Sequence, residues 1–186
     1  YGTTFGLALL TKKIAPHPSL MFGCSCLPGY YFIGGGLAAG CSLTTWFRNN
    51  FGQIEMDVQR HLGIDAYHLL SDEAGSVPPG SAGLVALPYF SGERSPIDDP
   101  KARGLIVGLT LQHSRGHIYR ALLEGVAYGM RHIFEVIGEA GFATNRIIAV
   151  GGGTRSDVWP QIISDVTRQE QQVLQHTPGA PLGVAF

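Results

Sequence analysis

Apolar positions along the chain follow two rhythms. Short apolar runs bounded by glycine or proline predict strands, and longer segments with apolar residues every three to four positions predict helices. Residues 1–11 (YGTTFGLALLT) read as a turn or hairpin fragment leading into a short strand. Pro16 to Gly29 carries Pro16, Pro18, Pro28 and Gly29 and reads as loop. Tyr30 to Ile33 predicts a strand stopping at Gly34-Gly35-Gly36. A helix over about 41–50 puts Leu43, Trp46 and Phe47 on one face, and a second over about 53–70 groups Ile54, Val58, His61 and Leu62. The break SVPPGSAG at 76–83 precedes a short strand at 84–87, a loop to Arg103, and a strand at 105–107 ending at Gly108.

The longest helical pattern covers about 114–140. Ile118, Leu122, Gly125, Val126, Gly129, Ile133, Val136, Ile137 and Ala140 track one face, with Ser114 as N-cap and Gly141 as stop. Arg146 to Val150 predicts a strand that ends at Gly151-Gly152-Gly153. A helix follows over about 156–169, capped by Ser156 and with Pro160 tolerable near its start. Residues 172–174 predict a last strand, and 181–186 begin another helix. Strands alternating with helices, without repeats or a linker, indicate one α/β domain.

Composition narrows the function. The 186 residues suffice for one substantial domain. Thirteen basic against fourteen acidic residues give net charge −1, which argues against nucleic acid or an anionic membrane as partner. No apolar run approaches the ~20 residues of a membrane span. The opening Tyr1-Gly2-Thr3-Thr4-Phe5 has neither Met nor a basic segment, so it reads as no signal peptide and as part of a longer chain. Three cysteines, Cys24, Cys26 and Cys41, make no disulfide framework and point to a reducing, cytoplasmic setting. Cys24-Ser25-Cys26 lacks the further ligands of a zinc site, and His113 and His117 read as surface or packing residues. No metal-ligating residues are assigned.

Glycine is the unusual count, 26 of 186, clustered at the ends of apolar runs. Gly151-Gly152-Gly153 lies between a strand and a helix, where close backbone approach and free N–H groups suit phosphate or nucleotide. It matches neither a dinucleotide fingerprint nor a P-loop, and a tight packing turn explains it equally well. Gly2-Thr3-Thr4 offers backbone N–H and hydroxyl donors to a phosphate, or is simply a hairpin turn.

Taken together these segments acquire a pattern. GLIVGLTLQHSRGHIYRALLE at 104–124 resembles the second signature of the FGGY carbohydrate kinases, with Gly104, Gly108, Leu109, His117, Ile118, Ala121, Leu123 and Glu124 in place and Leu122 departing from it. PYFSGERSP at 88–96 resembles the family's interdomain loop, GGGTRSDVWPQIISDVT at 151–167 its adenosine motif, and Tyr1-Gly2-Thr3-Thr4 its second phosphate motif.

The resemblance implies a ribonuclease H-like fold of the actin and hexokinase type, a mixed sheet flanked by helices. It implies that residues 1–186 are the C-terminal ATP-binding domain, with the sugar-binding N-terminal domain and the closing helix outside the chain. It places Gly2 and Thr3 at the phosphates of ATP, Gly40 or Cys41 beside the nucleotide, Gly152 and Gly153 at the adenosine or α-phosphate, and Asp157 at the base or ribose. The catalytic base, an Asp before the Gly-Thr motif, falls before Tyr1, so this chain alone is expected to bind ATP with Mg2+ weakly and to transfer nothing. Arg94 either steadies phosphoryl charge or ties its loop to Asp98 or Asp99, the second being preferred. Asp165 is expected to anchor its helix and Trp159 to lie in the core. The implied reaction is transfer of the γ-phosphoryl of ATP to a sugar hydroxyl, with a ketopentose (xylulose or ribulose) preferred and glycerol or another polyol as alternatives. A non-catalytic nucleotide-binding or regulatory module, or a chaperone-type ATPase of this fold, is the rival reading. A homodimer is compatible with the resemblance.

Overall fold

The computed structural model describes residues 1–174, so the helix expected at 181–186 lies outside the described residues. Three strands open the chain: β1 (Phe5–Thr11), β2 (Met21–Cys24) and β3 (Tyr31–Leu37). β3 is central, antiparallel to both neighbours, with Phe5 opposite Leu37 and Met21 opposite Gly34.

Two expectations change here. The stretch read as loop contains β2, a four-residue edge strand that owes its form to pairing with β3. Gly34-Gly35-Gly36 does not stop β3 but lies within it. A Cβ on Gly34 would strike the Leu7 carbonyl of β1, and one on Gly35 would sit 2.8 Å from Ser95 Cβ and 3.1 Å from Ile133 Cγ2. The triplet lets β1 and a long helix press against β3 from several sides.

Three helices follow: α1 (Cys41–Phe51), α2 (Gln53–Leu62) and α3 (Ala66–Gly75). The single helix expected over 53–70 is therefore two. Gly63, at φ 72°, ends α2 in the left-handed region, and Asp65 caps α3 by accepting from Tyr67 N–H at 2.8 Å. The expected apolar face of α2 is not its buried face. Ile54 and Leu62 are exposed, while Glu55 is buried against Arg115. In α1, Leu43 and Phe47 enter the core and Trp46 remains partly exposed.

The short strands β4 (Val85–Leu87) and β5 (Leu105–Val107) pair antiparallel. The long helix α4 (Arg115–Glu139) touches β3, β4, α1, α3 and α5 (Val158–Thr167). Its expected apolar face is buried, with Ile118 and Ala140 at the margin. Both boundary signals hold: Ser114 N–H donates to His117 Nδ1 at 3.1 Å at the start, and Gly141 turns the chain at φ 82° past the end. His113 is likewise a local staple, accepting from Thr110 N–H at 2.9 Å. Around Tyr119–Ala127 the helix is buried on every side, including an ion pair between Arg120 and Glu124 at 2.8 Å. β6 (Ile147–Ala149), α5 and β7 (Gln171–Val173) close the described chain, with β6 and β7 parallel. Antiparallel and parallel ladders thus both occur, flanked by helices. Trp159 is 2% exposed, as the core position expected of it.

Candidate functional site

Three segments that are distant in sequence meet beyond the end of β6. The Tyr1 N–H group donates to Val150 O at 3.0 Å, which lays the chain start beside the glycine turn. At the start of α1, Gly40 and Ser42 N–H donate to Thr3 O at 3.0 and 3.2 Å, and Cys41 N–H donates to Gly2 O at 2.9 Å. Gly2, Thr3, Gly40, Gly152 and Gly153, all singled out from the sequence, therefore lie on connected backbone.

Each glycine has its own reason. Gly151 has φ 105°, and a Cβ there would run into the Tyr1 carbonyl. At Gly40 a Cβ would lie 2.8 Å from both Phe5 Cβ and Phe5 N; at Gly153 it would lie 2.9 Å from the Tyr1 ring and 3.0 Å from the Trp159 ring. Gly152 alone of these has open space where a side chain would go. The helix expected over about 156–169 begins close to its expected start, and a short turn separates it from the glycines. Gly152–Arg155 winds as a 3-10 turn, closed by Thr154 N–H donating to Gly151 O at 3.1 Å, and α5 starts at Val158. Ser156 still serves as cap, accepting from Trp159 N–H at 3.2 Å. The intervening turn carries Asp157 past Ser156 to the other side. Asp157 is exposed and lines a separate groove with Pro78, Pro79 and Asp165, so it is not brought together with the glycines.

The glycine turn opens onto a cavity of about 320 Å³. Cys41 and Thr44 of α1 form one wall, Tyr67 and Ser71 of α3 another, and Tyr119, Leu123 and Trp159 the base. Second contacts hold these walls. Tyr67 Oη and Thr45 Oγ1 share a hydrogen bond at 2.8 Å, Ser156 Oγ donates to Ser71 Oγ at 3.1 Å, and Trp159 Nε1 donates to Leu123 O at 3.2 Å. Burial pushes the Cys41 thiol and the Tyr119 hydroxyl above their usual ranges, so both are neutral and protonated at pH 7. The cavity thus combines aromatic and apolar walls with a glycine-lined mouth, a form suited to a planar base with a polar tail. Gly40 itself packs on Phe5, while Cys41, the alternative register, faces the cavity.

The α3 residues were missed from the sequence. Gly63 followed by Asp65, a left-handed stop and a cap, was the signal that would have separated α3. Arg94 forms no ion pair with Asp98 or Asp99 among the described residues. Backbone bonds tie the loop instead: Asp98 N–H to Arg94 O at 2.6 Å and Glu93 N–H to Asp99 O at 2.8 Å. Asp165 accepts from Gln161 Nε2 one turn earlier at 2.7 Å, on the exposed side of α5. Among the described residues no group of three or more His, Cys, Asp or Glu side chains is placed to hold a metal ion.

A profile described as the FGGY family of carbohydrate kinases, C-terminal domain, matches residues 1–186. A gluconokinase of Bacillus subtilis is 39% identical over 84% of this chain and 31% of its own, and a xylulose kinase of the same organism is 33% identical over 84% and 29%. Among solved structures, the xylulose kinase from Rhodospirillum rubrum superposes with TM-score 0.83 at 36% identity, covering 98% of this chain and 35% of its own. Plasmodium falciparum glycerol kinase with ADP superposes with TM-score 0.76 at 26% identity, covering 100% and 36%. The chain spans about a third of the length of these relatives.

Proposed function

The chain belongs to the FGGY family of carbohydrate kinases, as its C-terminal domain, and from that premise we propose that it is the nucleotide-binding half of an ATP-dependent sugar kinase. In this reading the base and ribose enter the cavity between α1, α3, α4 and α5. The phosphates leave past Gly152 and Gly153 toward the Gly2–Thr3 turn. The observation that carries the reading is that Cys41 at the start of α1 and the Gly152–Gly153 turn line one cavity, with the Gly2–Thr3 turn hydrogen-bonded to that start of α1.

The chain's own work is to bind and aim the nucleotide. Phosphoryl transfer needs little covalent chemistry from protein, so holding the γ-phosphoryl in line with the acceptor is a large share of catalysis. Cys41 and Tyr119 are neutral at pH 7, and Asp65 and Arg155 are the acidic and basic residues on the cavity lining. Mg2+ is proposed to arrive on the phosphates of ATP, since the described residues do not supply a cluster that fits it. The base that takes the acceptor proton and most sugar contacts are assigned to a partner domain outside this chain. Three free cysteines fit a reducing cytoplasm.

The acceptor proposed is a ketopentose, as in the relatives named xylulose kinase and ribulokinase. A second reading, gluconate, is favoured by the higher identity to the gluconokinases, 39% against 33%. The test is ADP formation by the full-length protein carrying this chain, with ATP and Mg2+ and with D-xylulose, L-ribulose, D-gluconate and glycerol in parallel. Turnover with a ketopentose is expected, and turnover with gluconate alone selects the second reading. Absence of acceptor-dependent ADP with all four would overturn the kinase reading.

A further inference from the structure

We propose that the cavity takes purine nucleoside triphosphates as a class, ATP, ITP and GTP alike. It holds the base by stacking on Tyr67 and has, among the described residues, no fixed hydrogen-bonding side chain to read the base edge. This deepens the kinase reading of the cavity and rests on it.

Tyr67 is held as a rigid plate. Its backbone N–H donates to Asp65 Oδ1 at 2.8 Å, and its hydroxyl shares a hydrogen bond with Thr45 Oγ1 at 2.8 Å. The Arg48 guanidinium, reaching over from α1, lies 4.7 Å from the ring centroid and covers one face. The ring nevertheless lines the cavity. An aromatic plate fixed in a cavity wall stacks with any nucleobase, because every base has a π face.

The polar side chains of the walls are largely spent on the protein itself. Thr44 Oγ1 donates to Cys41 O at 2.8 Å, and Trp159 Nε1 donates to Leu123 O at 3.2 Å. Ser156 Oγ accepts from Trp159 N–H at 3.2 Å and donates to Ser71 Oγ at 3.1 Å. Two hydroxyl protons remain uncommitted among the described residues, those of Ser71 and Tyr119, on side chains that are 5% and 3% exposed. A hydroxyl turns to donate or to accept, so it serves a 6-amino and a 6-oxo purine equally. Cys41 adds only a neutral thiol, a weak donor. The charged lining residues, Asp65, His68 and Arg155, are exposed, where water competes for them. Strong discrimination needs a buried polar group that the wrong base would leave unpaired, and these walls present none among the described residues.

The test uses the full-length protein carrying this chain and its Tyr67→Leu and Tyr67→Phe variants, titrated calorimetrically with adenosine and with the Mg2+ complexes of ATP, ITP and GTP. ITP carries an oxygen where ATP has the 6-amino group, which reverses the hydrogen-bonding sense of that edge. Wild type is expected to bind ITP within about threefold and GTP within about tenfold of ATP. Tyr67→Leu, which removes the ring, is expected to weaken all three triphosphates and adenosine by a common factor of about ten. Tyr67→Phe, which keeps the ring face, is expected to stay within about threefold of wild type. A preference for ATP over ITP or GTP of about a hundredfold or more overturns the proposal and leaves the kinase reading intact. So does a Tyr67→Leu variant that binds ATP as wild type does, or one that loses affinity for ATP but not for adenosine. A loss in Tyr67→Phe as large as that in Tyr67→Leu overturns it too, since the ring face is then not what binds. Wild-type protein that binds none of the four ligands overturns the kinase reading and this proposal together.

Discussion

Gly152 and Gly153 are neighbours with different duties. A Cβ on Gly153 meets the Tyr1 and Trp159 rings at 2.9 and 3.0 Å, whereas one on Gly152 meets nothing. Gly153→Ala is therefore expected to cost about 1–3 kcal/mol through overpacking. Gly152→Asp is expected to stay within about 0.5 kcal/mol of wild type. Urea melts of both variants check the pair. Two carboxylates add opposite pH dependences. Burial alone would raise Glu55, but the Arg115 guanidinium at 2.7 Å outweighs it and holds Glu55 below its usual range. That ion pair's contribution is present above the ordinary Glu value of about 4.3 and is lost as pH falls through the lowered folded value. Glu93 is raised instead, so its contribution is present below the ordinary value and is lost as pH rises through the raised one. Two trends in urea midpoints measured from pH 3 to 7 follow. The deficit of Glu55→Gln relative to wild type shrinks toward acid, and any advantage of Glu93→Met grows toward neutrality. Trends in the opposite direction would show that the environments of these carboxylates are misassigned.

At the scale of elements, α4 is held by more than its apolar face. Arg120 and Glu124 are buried together, and Glu124 also accepts from Gly80 N–H and Ser81 Oγ, both at 2.9 Å. Glu124→Ala leaves the Arg120 charge and two donors unpaired in the interior, so a loss of about 3–5 kcal/mol is expected in urea melts. A loss under about 1 kcal/mol would mean that water replaces the carboxylate. The sequence revealed α4 well, because Ser114, the apolar repeat and Gly141 all agree with its tertiary setting. It revealed β2 poorly, since Met21–Cys24 has two exposed residues and gains its form only from β3. The split of α2 from α3 hid behind a continuous apolar rhythm in which Ile54 and Leu62 counted as core, although they face solvent. Periodicity reports which residues share a face, and only packing decides which face is covered. The ion pairs of Glu55 and Glu73 with Arg115 bury a polar side of α2 and α3 that no hydropathy pattern marks.

For the whole molecule, the glycine turns were legible as candidates, but their meeting was not. It depends on Tyr1 and Val150 lying side by side across 149 positions of sequence. Asp157 was placed at the base or ribose through its position in the segment that resembles the adenosine motif. The 3-10 turn of Gly152–Arg155 instead carries it to the groove beyond Ser156. One further wall of the cavity comes from α3, to which no motif pointed. The central claim is that this cavity and its glycine mouth take the nucleotide. The most direct measurement is a calorimetric titration of the chain with ATP and Mg2+, run beside Gly152→Asp, whose side chain points into open space at the mouth. Saturable one-to-one binding by wild type is expected, with its loss in a Gly152→Asp variant that melts like wild type. Equal binding by both proteins would contradict it and place the nucleotide elsewhere.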